Sequence, residues 1–511
     1  METARESEVM RKVTYEALDE RLGAVLSMRG RPLSGLAVAL VDGGKIVHEG
    51  YWGARRFLYG ERTNAGEPSP EGETVGCEPV DKDTRWRVAS LSKPFTALGA
   101  LRLVELGKLD LDADVSECLG YPLRNPAFPD APINLRMLLS HTSSLRDAEY
   151  YFPPLSHGLW ELFLPGGRHY EGGIHYAKPI PGGDLAPGVR YAYCNLGYAV
   201  VGEMIEKASG QRFDLYMQDL IFGPLGIDGG FNPLLVSDRH FPDICPIYRK
   251  QKSEGEPWDP EGPWYPQTDN FCGVRPALPV RVPEGEAVSP GVTSANIAGL
   301  VPKGDRIVPG ADPASGGMST PGGGRALSLA DYEIGTNGSL FSPQGGMRIS
   351  AHDLARLMML FIDGGVGSLE SGERKRLFMP ASIDAMVRPA WWRDDTRRGD
   401  TRREDTRRVA TIRGATSGNY DPAEETGPRT WEFGLGLYRG EGPDGGPGLW
   451  GHHGDAYGFL GGMFFDRERR SGYVYLIGGT GADPERNRGT HSRLSVWEEK
   501  IRSLIEEALS L

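Results

Sequence analysis

Apolar residues recur at two different periods along this 511-residue chain, and the change of period divides it. Residues 35–53, GLAVALVDGGKIVHEGYWG, read as two apolar strands joined at Asp42-Gly43-Gly44, a composition suited to a tight hairpin. A charged, helix-compatible pattern over 5–28 precedes them. Between Ser92 and about Leu106 the spacing becomes helical, and Gly107 follows as a stop. Pro94 fits only the first turn of that helix, because further in it would break the hydrogen-bond ladder. Near the other end, GLGLYRG (434–440), GFLGGMFFD (458–466) and GYVYLIGG (472–479) read as strands, and SVWEEKIRSLIEEALSL (495–511) as an amphipathic helix. This order predicts an α+β fold. One antiparallel sheet is built from N- and C-terminal strands and flanked by the terminal helices, and the middle of the chain forms a mostly helical lobe.

Two stretches fall outside that plan. Residues from about 223 to 340 are rich in Pro and Gly with scattered aromatics, including Trp258, Trp264, Tyr265 and Phe271, and read as long covering loops. Within a second insertion, about 393–428, DTRR occurs three times at a period of five, with almost nothing apolar around it. That composition predicts a solvated insertion, with a docking patch as the alternative. The expectation is therefore one catalytic domain over 1–511 carrying two insertions.

Charge and cysteine content narrow the function. A net charge of −12 has the wrong sign for a chain that grips phosphate backbones, so nucleic acid is excluded as an expected partner. METARESEVMRK lacks an apolar core, and no window approaches the roughly 18 apolar residues of a membrane span, which predicts a cytoplasmic protein without a membrane partner. Five cysteines with no CxxC pair indicate reduced thiols. Composition does not fix an oligomeric state.

The chemistry concentrates in ASLSKPFTA, residues 89–97. Positions i and i+3 share a helix face, so Ser90 meets Lys93 and Ser92 does not. A serine hydroxyl needs a base to become a nucleophile, and lysine serves when burial keeps it neutral part of the time. Taken alone, the pair reads first as a helix cap. Downstream, Tyr193-Cys194-Asn195 stands ahead of another apolar helix, and His452-His453-Gly454 at the entry to a strand, where Gly454 and Gly458 permit close backbone approach to a ligand. His169 and His175, in GGRHYEGGIH, show no carboxylate at metal-ligand spacing, so no metal site is expected.

The ordered set S-x-x-K, Y-x-N and H-x-G resembles the serine β-lactamase-related superfamily of class C β-lactamases, D,D-peptidases, D-aminopeptidases and family VIII esterases. INLRMLLSHTSSL (133–145) and FSPQGGMRISAHDLARLMMLFIDGG (341–365) are similar to further family segments. The resemblance implies Ser90 as nucleophile and Lys93 as its proton acceptor. It makes Tyr193 a general base, held as a phenolate by Lys93, and Asn195 the group that orients Lys93 and substrate. The backbone N–H groups of Ser90 and Asp455, the latter following His452-x-Gly454, would form the oxyanion hole, and His452 would line the pocket where other members use lysine. His141 would buttress the helical lobe. Ser144 stands where the family has glycine, and Cys194 where it commonly has serine. The activity implied is cofactor-free hydrolysis of an ester or amide of a small molecule through an acyl-enzyme. An acyltransferase using the same intermediate and a catalytically silent binding protein are the alternatives.

Overall fold

The computed structural model describes residues 15–60, 70, 74–148, 152–153, 157–179, 185–271, 273–276, 332–394, 430–440, 448–490 and 494–509. All three DTRR units and the greater part of the Pro/Gly-rich insertion lie outside them, as does Cys272. Helix α1 covers 15–25. The hairpin follows as β1 (Gly35–Asp42) and β2 (Lys45–Tyr59), with Gly43 and Gly44 at φ 60° and 75° in the turn. Strand β3 (Thr74–Pro79), mostly exposed and without an apolar face, extends the sheet beyond β2.

The helical lobe contributes α2 (Lys93–Glu105), α3 (Asn195–Ser209) and α4 (Ala351–Ile362). Between α3 and α4 come two short strands, β4 (Ile247–Arg249) and β5 (Tyr265–Thr268). The C-terminal part supplies β6 (Trp391–Asp394), β7 (Thr430–Phe433), β8 (Tyr438–Gly440), β9 (Trp450–Ala456), β10 (Phe459–Asp466), β11 (Ser471–Ile477) and β12 (Gly479–Thr480), then α5 (Val496–Leu509). The main sheet runs β6-β7-β8-β9-β10-β11-β1-β2-β3, so strands from the two ends of the chain meet where β11 pairs antiparallel with β1. This is the α+β plan the sequence predicts.

Both faces of the central strands are covered, which is why β1 reads as a continuous apolar run rather than an alternation. Leu36, Val38 and Leu40 pack with Leu18 and Leu22 of α1 and Trp497, Ile501 and Ile505 of α5. Ala37, Ala39 and Val41 turn to the opposite face and join the core shared with α2, α3 and α4. Each large apolar side chain buried this way stabilises the fold by about 1.5–3 kcal/mol.

Three expectations are corrected. Residues 434–440 are not one strand: Gly434 donates to the Leu437 carbonyl in a turn that joins β7 to β8. His452-His453-Gly454 lies within β9 rather than at a strand entry. The 223–340 stretch is not loop alone, since β4 and β5 form a small sheet with β12. Of its aromatics, Trp258 packs on Arg249 and Phe271 on Phe241 within the stretch, whereas Trp264 stacks on Phe57 of β2.

Candidate active site

A 3₁₀ turn, Ala89–Ser92, precedes α2 and carries Ser90. Ala89 sits at φ 47°, a left-handed conformation that costs a residue with a Cβ of order 1–3 kcal/mol and lifts the next side chain out of regular helix geometry. Ser90 caps nothing; its Oγ lies 2.8 Å from Lys93 Nζ and accepts a 2.8 Å hydrogen bond from the Tyr193 hydroxyl. The i, i+3 spacing works here because a 3₁₀ turn stacks those positions directly. Ser92 points elsewhere, its Oγ accepting from the Met347 N–H at 3.0 Å in the core. Ser92→Ala is expected to leave probe labelling of Ser90 intact while destabilising the protein by about 1–3 kcal/mol, the cost of an unpaired buried N–H. A fall in Tm with full labelling of the folded fraction would be the signature.

Lys93 is completely buried, and its ammonium nitrogen has three acceptors: Ser90 Oγ, Asn195 Oδ1 at 2.8 Å and the Gln344 carbonyl at 3.0 Å. No carboxylate touches it in that set. Burial accordingly pulls its pKa down from 10.5 to about 7, with a partial opposing effect from Asp147. Tyr193, packed over by His141 at a ring separation of 4.3 Å, is driven well above the ordinary phenol range, again by burial first. That counters the expected phenolate: the hydroxyl keeps its proton, and the amine is the group poised to accept one.

Two groups that hold this geometry lie outside the expected site residues, although one, Gln344, falls within the family-like segment 341–365. Asp147 accepts from the N–H groups of Asn195 (3.0 Å) and Leu196 (2.9 Å) at the start of α3 and from Asn195 Nδ2 (2.8 Å). Asn195 is thereby turned so that its oxygen faces Lys93. The Gln344 carbonyl is the other, on a segment seated against α2 where Thr96 donates to the Pro343 carbonyl. His141 does more than buttress the lobe, because its Nδ1 accepts the Cys194 N–H at 3.1 Å beside Tyr193. Ser144 adopts φ 63°, the left-handed conformation its glycine counterpart would take freely, so the turn is kept despite the substitution.

Strand β9 closes the other side. Its alternation sends His452 and Gly454 towards the lobe and His453 and Asp455 towards α5. The His452 ring lies 6.4 Å from that of Tyr193, whereas Arg502 acts on His453 and Glu498 on Asp455. The Asp455 carboxyl, raised by burial to about 7, therefore belongs to the packing against α5, and only its backbone faces the serine turn. Gly454 permits a close approach, but to protein: a Cβ there would stand 2.6 Å from the Val88 carbonyl, just before Ser90. Gly458, at φ 95°, likewise abuts the Tyr248 carbonyl rather than a ligand. His452 Nδ1 donates to the His453 carbonyl at 2.6 Å, and its buried Nε2 has no hydrogen-bond partner. Burial, reinforced by Lys93, lowers its pKa to about 3, so the ring is neutral and Nε2 is an acceptor.

The expectation for His169 is corrected. It meets a carboxylate, Glu161, and a second imidazole, His157, from outside its own stretch. His175 does not join them; it is buried near Phe163.

A family profile described as Beta-lactamase matches residues 27–496, and the chain belongs to that family. Among curated relatives, Penicillin-binding protein 4* of Bacillus subtilis (strain 168) is 28% identical over 221 residues, 42% of this chain and 40% of that protein. Esterase EstB of Burkholderia gladioli is 33% identical over 171 residues, 30% of this chain and 40% of its own length. The matched part thus spans about two-fifths of each of these relatives. Among solved structures, D-amino acid amidase from Ochrobactrum anthropi SV3 superposes with a TM-score of 0.54 at 16% identity, covering 97% of this chain and 98% of that one. The Beta-lactamase/D-alanine Carboxypeptidase from Yersinia pestis gives 0.53 at 14% identity, with 98% and 99% covered. At such identities these likenesses show the fold.

Proposed function

We propose that the protein is a cofactor-free serine hydrolase that cleaves an ester or amide of a small molecule through an acyl-enzyme on Ser90. The observation that carries this reading is the simultaneous contact of Ser90 Oγ with Lys93 Nζ and the Tyr193 hydroxyl. As Oγ bonds to the substrate carbonyl carbon, its proton passes to neutral Lys93. The carbonyl oxygen takes up the negative charge, stabilised by the backbone N–H groups of Ser90 and Asp455. Collapse of the intermediate breaks the bond to the alcohol or amine, which takes the Tyr193 proton while Lys93 returns one to Tyr193. Water then attacks the acyl carbon and gives a proton to the same pair; the bond between that carbon and Oγ breaks, Oγ takes the proton back, and the carboxylic acid leaves with Ser90 restored. The free state of the four described cysteines supports a reducing, cytoplasmic setting for this activity.

Tyr193→Phe removes the proton donor and leaves the ring packing in place, so kcat is expected to fall by about 10²–10⁴-fold with KM little changed. A loss confined to KM in steady-state kinetics would make Tyr193 a binding residue instead.

His452 bears on the substrate class. A neutral imidazole offering a lone pair gives no cation to a substrate carboxylate, unlike a lysine at the same place. Uncharged esters and amides are therefore expected to react with higher kcat/KM than penicillins or cephalosporins, and His452→Lys to move the ratio towards carboxylate-bearing substrates. Intact-mass measurement of acylation across p-nitrophenyl esters, D-amino-acid amides and β-lactams tests both the reading and this preference. No adduct on Ser90 with any member would refute the hydrolase; preferential hydrolysis of β-lactams would refute the role of His452.

A further inference from the structure

Away from the serine site, the segment following Asp147 brings three potential ligands together. His157, Glu161 and His169 each place one donor atom within 4.8 Å of the other two. His157 Nδ1 and His169 Nε2 face each other at 3.1 Å. Two nitrogens bound at about 2.0–2.1 Å to a tetrahedral Zn²⁺ stand about 3.3–3.4 Å apart, so the imidazoles are nearly at ligand spacing already. Glu161 is buried on the short 3₁₀ turn Leu159–Leu162, and its Oε2 is out of solvent with no hydrogen bond. A buried carboxylate without a hydrogen bond is costly, and a nearby cation offsets that cost.

Arg168 supplies that cation at present, though loosely. Its Nε stands 3.5 Å from Glu161 Oε2 and its Nη1 donates to His157 Nε2 at 2.6 Å, yet the side chain is 68% exposed. It lies over the cluster from the solvent side. In this arrangement His157 Nε2 is an acceptor, which places the ring proton on Nδ1, between the two imidazoles. For Nδ1 to bind a metal, the proton must move to Nε2, and Arg168 must then withdraw. Arg168 thus opposes a metal twice, by charge and by tautomer.

We propose that His157, Glu161 and His169 form a binding site for one divalent transition-metal ion, with Arg168 as a competing cation that swings out when the ion enters. Two imidazoles and one carboxylate suit Zn²⁺ and its neighbours and give the hard ions Mg²⁺ and Ca²⁺ too few oxygens. Three protein ligands leave a fourth position towards solvent, on the side Arg168 covers. The site fastens 157 to 169 within a segment already tied to its surroundings, where Leu159 N–H donates to the Thr336 carbonyl and Arg146 N–H, next to Asp147, to that of His175. The ion would therefore brace the loop that adjoins the Asp147–Asn195 contact. This inference is independent of the reaction assigned to Ser90.

Calorimetric titration of the full chain with Zn²⁺, with Mg²⁺ as a parallel titrant, tests the site. One zinc per chain is expected, with a rise in Tm reversed by EDTA and no binding of Mg²⁺. His169→Ala and Glu161→Gln should each weaken zinc binding by at least about 10-fold, since loss of even a group that only supports a ligand alters metal affinity on that scale. Arg168→Ala, an exposed change that leaves the fold intact, should strengthen it; this variant decides the matter if the others unfold. The proposal is overturned if the wild-type chain takes up no zinc saturably, if uptake survives His169→Ala, as it would for zinc caught by exposed Cys77, or if Arg168→Ala leaves the affinity unchanged.

Discussion

Ser90→Ala is expected to lower turnover of every substrate by about 10⁴-fold or more and to abolish labelling by a fluorophosphonate probe. The size follows from the role: without Oγ there is no atom to form the acyl bond, and the surrounding donors retain only the small residual catalysis seen when a nucleophile is removed from an otherwise complete site. The fold should tolerate the change, since Ser90 neither caps a helix nor supports the core, whose contacts here are made by Leu91 and Ser92. Tm within a few degrees of wild type, with the mass shift lost, would be the full result. Labelling that persists in Ser90→Ala and disappears in Ser92→Ala would assign the nucleophile to the wrong serine, although Ser92 Oγ is fully buried on the Met347 N–H.

What the sequence disclosed about this site depended on whether a local period carried it. Ser90 and Lys93 share a turn, so short-range spacing pairs them, whereas their reading as nucleophile and base, and the roles of Tyr193 and Asn195, rest on the ordered set of motifs and the family it resembles. Asp147 and the Gln344 carbonyl carried no such signal. One is an acid in a loop, the other a backbone oxygen, and each reaches Lys93 or Asn195 only after the chain has folded back over a long separation. The same holds for Glu161, His157 and His169, held by turns that have no period. Among strands, β1, β10 and β11 were legible because burial on the sheet selects apolar residues. The missed strand β3, with its exposed TVGCEP, and β5, carrying Pro266 at the outer edge of the small sheet, have few such residues to show. Edge strands tolerate proline and polar side chains, which erases the pattern a reader looks for. Gly454 was singled out correctly as a point of close approach; that the neighbour is the Val88 carbonyl and not a ligand required the register of β9 against the serine turn.

Lys93 links the chemistry to pH, and its sign can be worked out. The folded pKa is lowered from 10.5 to about 7 by burial, so the amine is protonated and useless as a base well below pH 7 and free to accept the Ser90 proton above it. The rate constant kcat/KM of the wild type is therefore expected to rise about tenfold per pH unit on the acid side and level off above roughly pH 7. Lys93→Ala should lower it by about 10³-fold or more and flatten that limb, and Lys93→Arg should be equally inactive because guanidinium stays charged throughout. Stability carries the same signature. Between about pH 7 and 10.5 the unfolded chain holds a proton on this lysine that the folded chain has released, so stability rises with pH across that window, and the cost of the buried charge is greatest below it. Lys93→Met leaves Asn195 Oδ1 and the Gln344 carbonyl without their donor at every pH, a constant loss; against it, the relief from removing the charge is present at pH 6 and absent near pH 10.5. The difference in Tm between Lys93→Met and wild type should accordingly be more favourable to the variant at pH 6 than at pH 10. A Tm difference independent of pH, together with an acid limb that persists in Lys93→Ala, would show that another group supplies the base.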